Sequence, residues 1–179
     1  MPKIYSPAED SFLISFVIKK EVPKLISKNL NLKVLEIGSG SGIQLKALLD
    51  SGIKKQNIFA CDINSNAVEH CKRLGFNCII SNLFKNIKGK YDLIIFNPPY
   101  LPKDKLEDKE SRLATTGGKR GGEIINKFLL QAKNHLTKKG VIFLLTSSLT
   151  KGINWKEYKK KIISKQKLFF EELYVWELN

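Results

Sequence analysis

The stretch Lys33-Val34-Leu35-Glu36-Ile37-Gly38-Ser39-Gly40-Ser41-Gly42 decides the fold. Its first five residues read as a buried strand, and Ile43, Ala47 and Leu48 then recur at helical spacing. Strand, glycine-rich turn and helix in that order begin a βαβ unit. Glycines in such a turn let the backbone approach a ligand closely and adopt dihedrals that a side chain forbids. The spacing is G-x-G-x-G, without the final glycine of the dinucleotide fingerprint, so the turn alone does not name a ligand. Working outward, Asn57-Ile58-Phe59-Ala60-Cys61 reads as the next strand and ends at Asp62, 20 residues after Gly42. A carboxylate there can accept hydrogen bonds from ribose hydroxyls. Asn64 or Ser65 can cap the following helix, which leaves Asp62 for a ligand. The alternation continues, with strands predicted near 33–37, 57–62, 76–80, 91–96 and 140–146 and an opening helix over 12–30. Such alternation predicts an α/β fold with a mostly parallel sheet. A helix is expected from Glu123 to Leu136, with Ile124, Ile125, Phe128, Leu129, Ala132 and Leu136 as its core face. After Thr150 apolar and polar residues alternate over 161–168 and 171–178, which predicts a closing hairpin.

A second segment carries the chemistry. The apolar run Leu93-Ile94-Ile95-Phe96 leads directly into Asn97-Pro98-Pro99-Tyr100. The nitrogen of an amide or of an exocyclic aromatic amine has a delocalised lone pair, so holding its hydrogens and aiming its face is most of the catalytic problem. The Asn97 side-chain oxygen can accept one N–H and the Pro98 carbonyl the other. Two prolines stiffen the loop and remove two donors. Tyr100 offers an aromatic face beside a flat amide or base. Glycine turn, ribose acid and amino-group slot together point to a nucleoside-containing cofactor lying across the strand tips. S-adenosylmethionine fits best, because no phosphate-binding lysine of the Walker type is present and the slot suits methyl transfer.

Composition agrees with one compact unit. The 179 residues are 42% hydrophobic, enough for a proper core, and contain no long apolar segment or secretory pattern. A soluble protein of the cytoplasm, without membrane association, is expected. Cys61, Cys71 and Cys78 lack C-x-x-C spacing and are read as reduced, mostly buried thiols rather than metal ligands. His70 is read as surface chemistry of no consequence. The formal charge of +14 suits an acidic or nucleic-acid-associated partner, with lysines clustered at 156, 159, 160, 161, 165 and 167. That cluster can equally be a solvated face.

Four segments carry a family resemblance: Tyr5-Ser6-Pro7-Ala8-Glu9-Asp10-Ser11-Phe12-Leu13, Leu35 to Gly42, Asn97 to Tyr100, and Gly117-Gly118-Lys119-Arg120-Gly121-Gly122-Glu123. The chain resembles HemK-type class I S-adenosylmethionine-dependent methyltransferases, in their short archaeal and eukaryotic branch. The resemblance implies a Rossmann-like fold with a mostly parallel seven-stranded sheet, a C-terminal antiparallel hairpin and helices on both faces. One domain would span 1–179, with 1–30 covering the cofactor and substrate. It implies methylation of the glutamine N5 in the Gly-Gly-Gln loop of a class I translation release factor, with S-adenosylhomocysteine as product. Carried over, Glu36, Gly38, Ser39 and Gly40 line the methionine and ribose end, Asp62 holds the ribose, and Ser11 touches the cofactor carboxylate. Asn82, with Leu83, stands where the family usually has an acidic residue beside the adenine amino group. An Asn oxygen still accepts the adenine N–H. Asn97 would touch both cofactor and substrate, Pro98, Pro99 and Tyr100 the substrate, and Gly117 to Gly122 would form a mobile segment near the entrance. A small zinc-binding activator protein is implied as a partner, pairing along Phe76-Asn77-Cys78-Ile79-Ile80, an apolar edge that needs cover.

The same slot admits adenine-N6 methylation of DNA or RNA, with a flipped base in place of the amide. Methylation of another protein side chain and a non-catalytic cofactor-binding scaffold are further readings.

Overall fold

A computed structural model describes residues 4–104 and 115–179. The first three residues of the N-terminal segment lie outside them. Strand β1 (Val34–Ile37) is buried along its whole length, as a strand covered on both faces must be. It lies between β2 (Ile58–Asp62) and β4 (Tyr91–Phe96), with β3 (Asn77–Ile80) beyond β2 and β7 (Leu136–Ser147) beyond β4, all parallel. The hairpin strands β8 (Lys160–Lys167) and β9 (Glu172–Leu178) complete a seven-stranded sheet of order β3-β2-β1-β4-β7-β9-β8, with β9 antiparallel to both neighbours. This is the Rossmann-like arrangement expected from the sequence.

One face is covered by α1 (Glu9–Ile26), α2 (Ile43–Asp50) and α3 (Ser65–Arg73), whose Ile14, Leu48 and Val68 belong to one buried cluster. The other is covered by α4 (Glu123–Ala132), where Phe128 packs against Phe96 and Phe84 with ring centroids 4.7 and 5.4 Å apart. Five of the six apolar residues predicted for this last segment are buried; Ile124 is half-buried and turns toward the cavity described below. The helix ends at Ala132, and Leu136 already belongs to β7, where it pairs with Tyr91 across a register shift. Helix α1 spans 9–26 rather than 12–30, because Asp10 and Ser11 sit buried inside its first turn.

Register connects this architecture to the site. Ile37 lies opposite Cys61 on one side and Phe96 on the other, so Gly38, Asp62 and Asn97 follow at the same level on three adjacent strands. The chain reverses sheet direction at β1, and ligands of open α/β sheets bind at that carboxyl-end crevice. The two sheet edges differ. On β8, Lys160, Lys161, Lys165 and Lys167 guard the edge with positive charge. On β3, Ile79 and Ile80 are 37% and 54% exposed. No described helix is long and apolar enough to cross a membrane.

Candidate active site

The glycine turn is held by β2. Gly38 and Ser39 donate their N–H groups to the Cys61 carbonyl at 2.8 and 3.1 Å, and Gly40 donates to Asp62 Oδ2 at 2.9 Å. Gly38, Gly40 and Gly42 all have positive φ, which other L-residues rarely adopt, and a Cβ on Gly40 would meet only open space. That space is a cavity of about 370 Å³, within the range of small-molecule sites. Ser11, Gly38, Ser39, Gly40 and Asp62 line it on one side, and Asn82, Leu83, Asn97, Pro98 and Pro99 on the other. Ten of the sequence-chosen residues thus converge from five separate segments.

Their side chains are not equally available. Asp62 accepts the Asn64 N–H through Oδ1 at 2.8 Å as well as the Gly40 N–H, so the carboxylate both shapes the turn and keeps lone pairs toward the cavity. Burial raises its pKa, against the lowering effect of these backbone donors. Asn64 caps α3, accepting the Asn66 N–H at 3.0 Å, as its position suggested. The Ser39 hydroxyl lies 3.5 Å from the Cys78 thiol, on the sheet side. Glu36 is 2% exposed and stands behind the cavity wall; its Oε2 has no hydrogen-bond partner, and burial pushes its carboxyl well above the usual range. Asn82 is exposed on the rim, while Leu83 takes φ 51° and its carbonyl accepts the Ser81 hydroxyl at 2.8 Å.

Asn97 is the group whose surroundings say most. Its Nδ2 donates to Asp10 Oδ2 at 3.1 Å, while its buried Oδ1 has no partner. Asp10, 6% exposed, is in turn held through Oδ1 by the Ser11 N–H at 2.6 Å, the Ser11 hydroxyl at 3.1 Å and the Tyr5 hydroxyl at 3.4 Å. An amide whose NH₂ faces a carboxylate must present its oxygen elsewhere. Asp10 therefore sets which way Asn97 faces. A bare buried acceptor is costly unless a donor arrives.

Tyr100 does not line this cavity. It forms a wall of an adjoining cleft of about 190 Å³ that also contains Tyr5, Asp10, Leu168 and Glu171. Burial and nearby carboxylates raise its phenol pKa. The Gly117 to Gly122 stretch, expected to be a mobile segment, is packed against the Asn97 loop. A Cβ on Gly117 would lie 2.5 Å from the Pro99 carbonyl oxygen, and one on Gly121 would collide with that of Tyr100. The short strands β5 (Leu101–Pro102) and β6 (Thr116–Gly118) pair in parallel, and Glu123 accepts the Arg120 N–H at 3.0 Å. Glycines here permit close backbone contact. His70, set aside in the sequence, brings Nε2 to 3.2 Å from the Ser41 carbonyl and supports the glycine turn. The three cysteines are buried free thiols.

The family model described as the methyltransferase small domain matches residues 21–155. A putative protein N5-glutamine methyltransferase of Methanocaldococcus jannaschii is 39% identical over 194 aligned residues, covering 99% of this chain and 93% of the relative. The chain belongs to the HemK-type methyltransferases. Within this family, methyltransferase HEMK2 of Mus musculus is 31% identical over 80% of this chain and 71% of its own length. A solved E. cuniculi Mtq2-Trm112 complex, described as responsible for methylation of the eRF1 translation termination factor, superposes with a TM-score of 0.70 at 23% identity, covering 100% of this chain and 99% of that one. The latter likeness establishes the fold. As a HemK-type methyltransferase the protein is an enzyme, and its cavity lies at the carboxyl ends of the parallel strands, the crevice in which open α/β sheets bind ligands.

Proposed function

We propose that this enzyme transfers a methyl group from S-adenosylmethionine to the N5 of a glutamine side chain, in the Gly-Gly-Gln loop of a class I translation release factor. The observation that carries this reading is Asn97: its NH₂ is committed to Asp10 and its oxygen is buried and bare. A primary amide brings two N–H donors to that point. Asn97 Oδ1 accepts one, the Pro98 carbonyl accepts the other, and the amide plane is fixed with its nitrogen facing the cavity.

The residues present fit the cofactor. Open space over Gly40 admits it, Asp62 retains lone pairs for ribose hydroxyls, and Asn82 and Leu83 offer an acceptor and an apolar surface for adenine. Bound there, S-adenosylmethionine supplies an electrophilic methyl group on sulfur and leaves as S-adenosylhomocysteine. Ser11, buried in the first turn of α1, faces the methionine end. Holding the amide is the protein's main contribution, and the surplus proton passes to solvent without a dedicated base. The carboxylate of Asp10 is occupied by four donors and is a positioning group.

The name of the M. jannaschii relative, a putative protein N5-glutamine methyltransferase, supports the glutamine reading. The exposed β3 edge supports a partner: a small zinc-binding activator adding a strand beside Ile79 and Ile80 would satisfy the free backbone groups and cover apolar surface. Release factors are its expected substrates in the cytoplasm. The test is transfer of labelled methyl from S-adenosylmethionine to a purified class I release factor, with and without the activator. Label that disappears when the loop glutamine is changed to asparagine supports the reading. Label absent from protein but present on added nucleic acid would replace it with adenine methylation.

A further inference from the structure

The turn joining β8 to β9 has a chemistry that folding does not require. Leu168 donates its N–H to the Glu171 carbonyl at 2.8 Å, so Phe169 and Phe170 are the two central residues of a tight hairpin. Such positions favour Asn-Gly and similar pairs. Here they hold two phenylalanines, 92% and 84% exposed, stacked edge to face with centroids 4.7 Å apart. On α1, Phe12 and Phe16 follow Glu9 on one helical stripe and are 56% and 58% exposed. Two exposed phenylalanines packed on each other at one turn, with two more on the helix stripe that follows Glu9, exceed the scattered apolar residues usual on a surface and mark a contact site.

Their position relative to the site selects the occupant. Leu168 and Glu171, at the base of the turn, and Ala8 and Glu9, at the start of the helix, form the outer cleft with Tyr100. That cleft shares Tyr5 and Asp10 with the cofactor cavity, so it continues directly from the place where Asn97 is held. The turn is also fastened to the same place. Glu171 accepts the Ser147 hydroxyl at the end of β7, and Thr150, just beyond, donates to the Tyr100 carbonyl at 2.9 Å. An aromatic surface rigidly linked to the acceptor slot and open beside it suits a polypeptide that extends past its acceptor side chain; a free amide would leave it unused.

We propose that the outer cleft, together with the Phe169–Phe170 turn between its Leu168 and Glu171 and the α1 stripe of Phe12 and Phe16 that follows its Glu9, docks the apolar segment of the methyl-accepting protein that flanks its acceptor glutamine. The inference rests on the preceding reading that the acceptor is a protein side chain.

The experiment is steady-state methyl transfer to a purified release factor by the full chain and by a Phe169→Ala/Phe170→Ala variant, with Phe12→Lys as a second variant on the helix. Both changes lie on exposed positions and leave the core intact. The KM for the release factor should rise about tenfold, as for loss of aromatic anchors at an interface. Cofactor Kd and Tm should stay unchanged. A KM within twofold of wild type for both variants overturns the docking surface and leaves glutamine methylation standing. Loss of a dimer in sedimentation with KM unchanged assigns the surface to a second copy and likewise overturns the proposal. Should wild type methylate no protein at all, glutamine methylation fails and the docking surface fails with it.

Discussion

The inner cavity at the ends of β1, β2 and β4 and the outer cleft between α1 and the β8–β9 turn share, among the described residues, Tyr5 and Asp10 alone. Most of the inner one is assembled from short runs of consecutive residues. Gly38 to Ser41, Asp62 to Asn64, Ser81 to Leu83 and Asn97 to Pro99 each arrive as a short run at the end of a strand. The outer one takes Tyr5, Tyr100, Leu168 and Glu171 from distant parts of the chain. A cofactor common to a whole family can be held by backbone turns and strand tips, which short motifs encode. A macromolecular substrate is met by side chains on the surface between elements, which no motif encodes. Asp10 stands at the boundary, and three substitutions probe the division.

Asn97→Ala should produce the largest effect. With the acceptor gone, methyl transfer should fall by roughly 10²-fold or more, while cofactor binding, measured by calorimetry, changes little. A large loss of cofactor affinity with kcat preserved would move Asn97 wholly to the inner cavity.

Asp10→Ala removes the acceptor that faces Asn97 Nδ2. The amide is then free to turn its NH₂ toward the substrate. A fall in kcat of about tenfold is expected, together with a stability loss of about 1–3 kcal/mol for the donors left unpaired. Urea unfolding separates the two contributions, since a purely structural role would leave kcat per folded molecule unchanged.

Glu36→Gln belongs to the inner side alone and should have the smallest effect on turnover. Burial raises the Glu36 pKa, so the folded state binds its proton more tightly than the unfolded chain does. That preference favours folding fully below the usual carboxylate pKa of 4.5 and is lost as pH rises through the raised value. A glutamine side chain at this position carries no charge to bury. The variant should match wild type near pH 4 and gain on the order of 1 kcal/mol for each pH unit above the usual value until the raised pKa is passed. Thermal melts across pH check this; equal Tm values at all pH would show that Glu36 is compensated in the free protein.

Much of the inner cavity was legible because its residues are tied to strand ends. The predicted strand over 91–96 matches β4 residue for residue, and Asn97 follows it. Ile124 was assigned to the core because its spacing fits the buried face, yet it lies one residue from the buried Ile125 at the start of α4 and reaches the cavity. Periodicity identifies a face of a helix but not what stands opposite its first turn. Tyr100 was joined to the amide slot by adjacency in sequence, but two prolines carry the chain past the cavity and leave the ring in the neighbouring cleft. The resemblance implies a segment at 117–122 near the entrance, but not that its glycines let one loop pack closely on another.

Sequence by itself determined the alternating α/β fold, the glycine turn, the carboxylate that ends the second strand and the proline-stiffened loop from Asn97 to Tyr100. Each depends on residues adjacent in the chain, and hydrophobic periodicity and backbone dihedrals act locally. Tertiary structure alone decided which way Asn97 faces, since Asp10 lies 87 residues away. It also decided that the turn carrying the exposed Phe169 and Phe170 borders the outer cleft through Leu168 and Glu171. Sheet order and register bring such groups together, and both arise from packing over the whole core, so no short stretch of chain carries them.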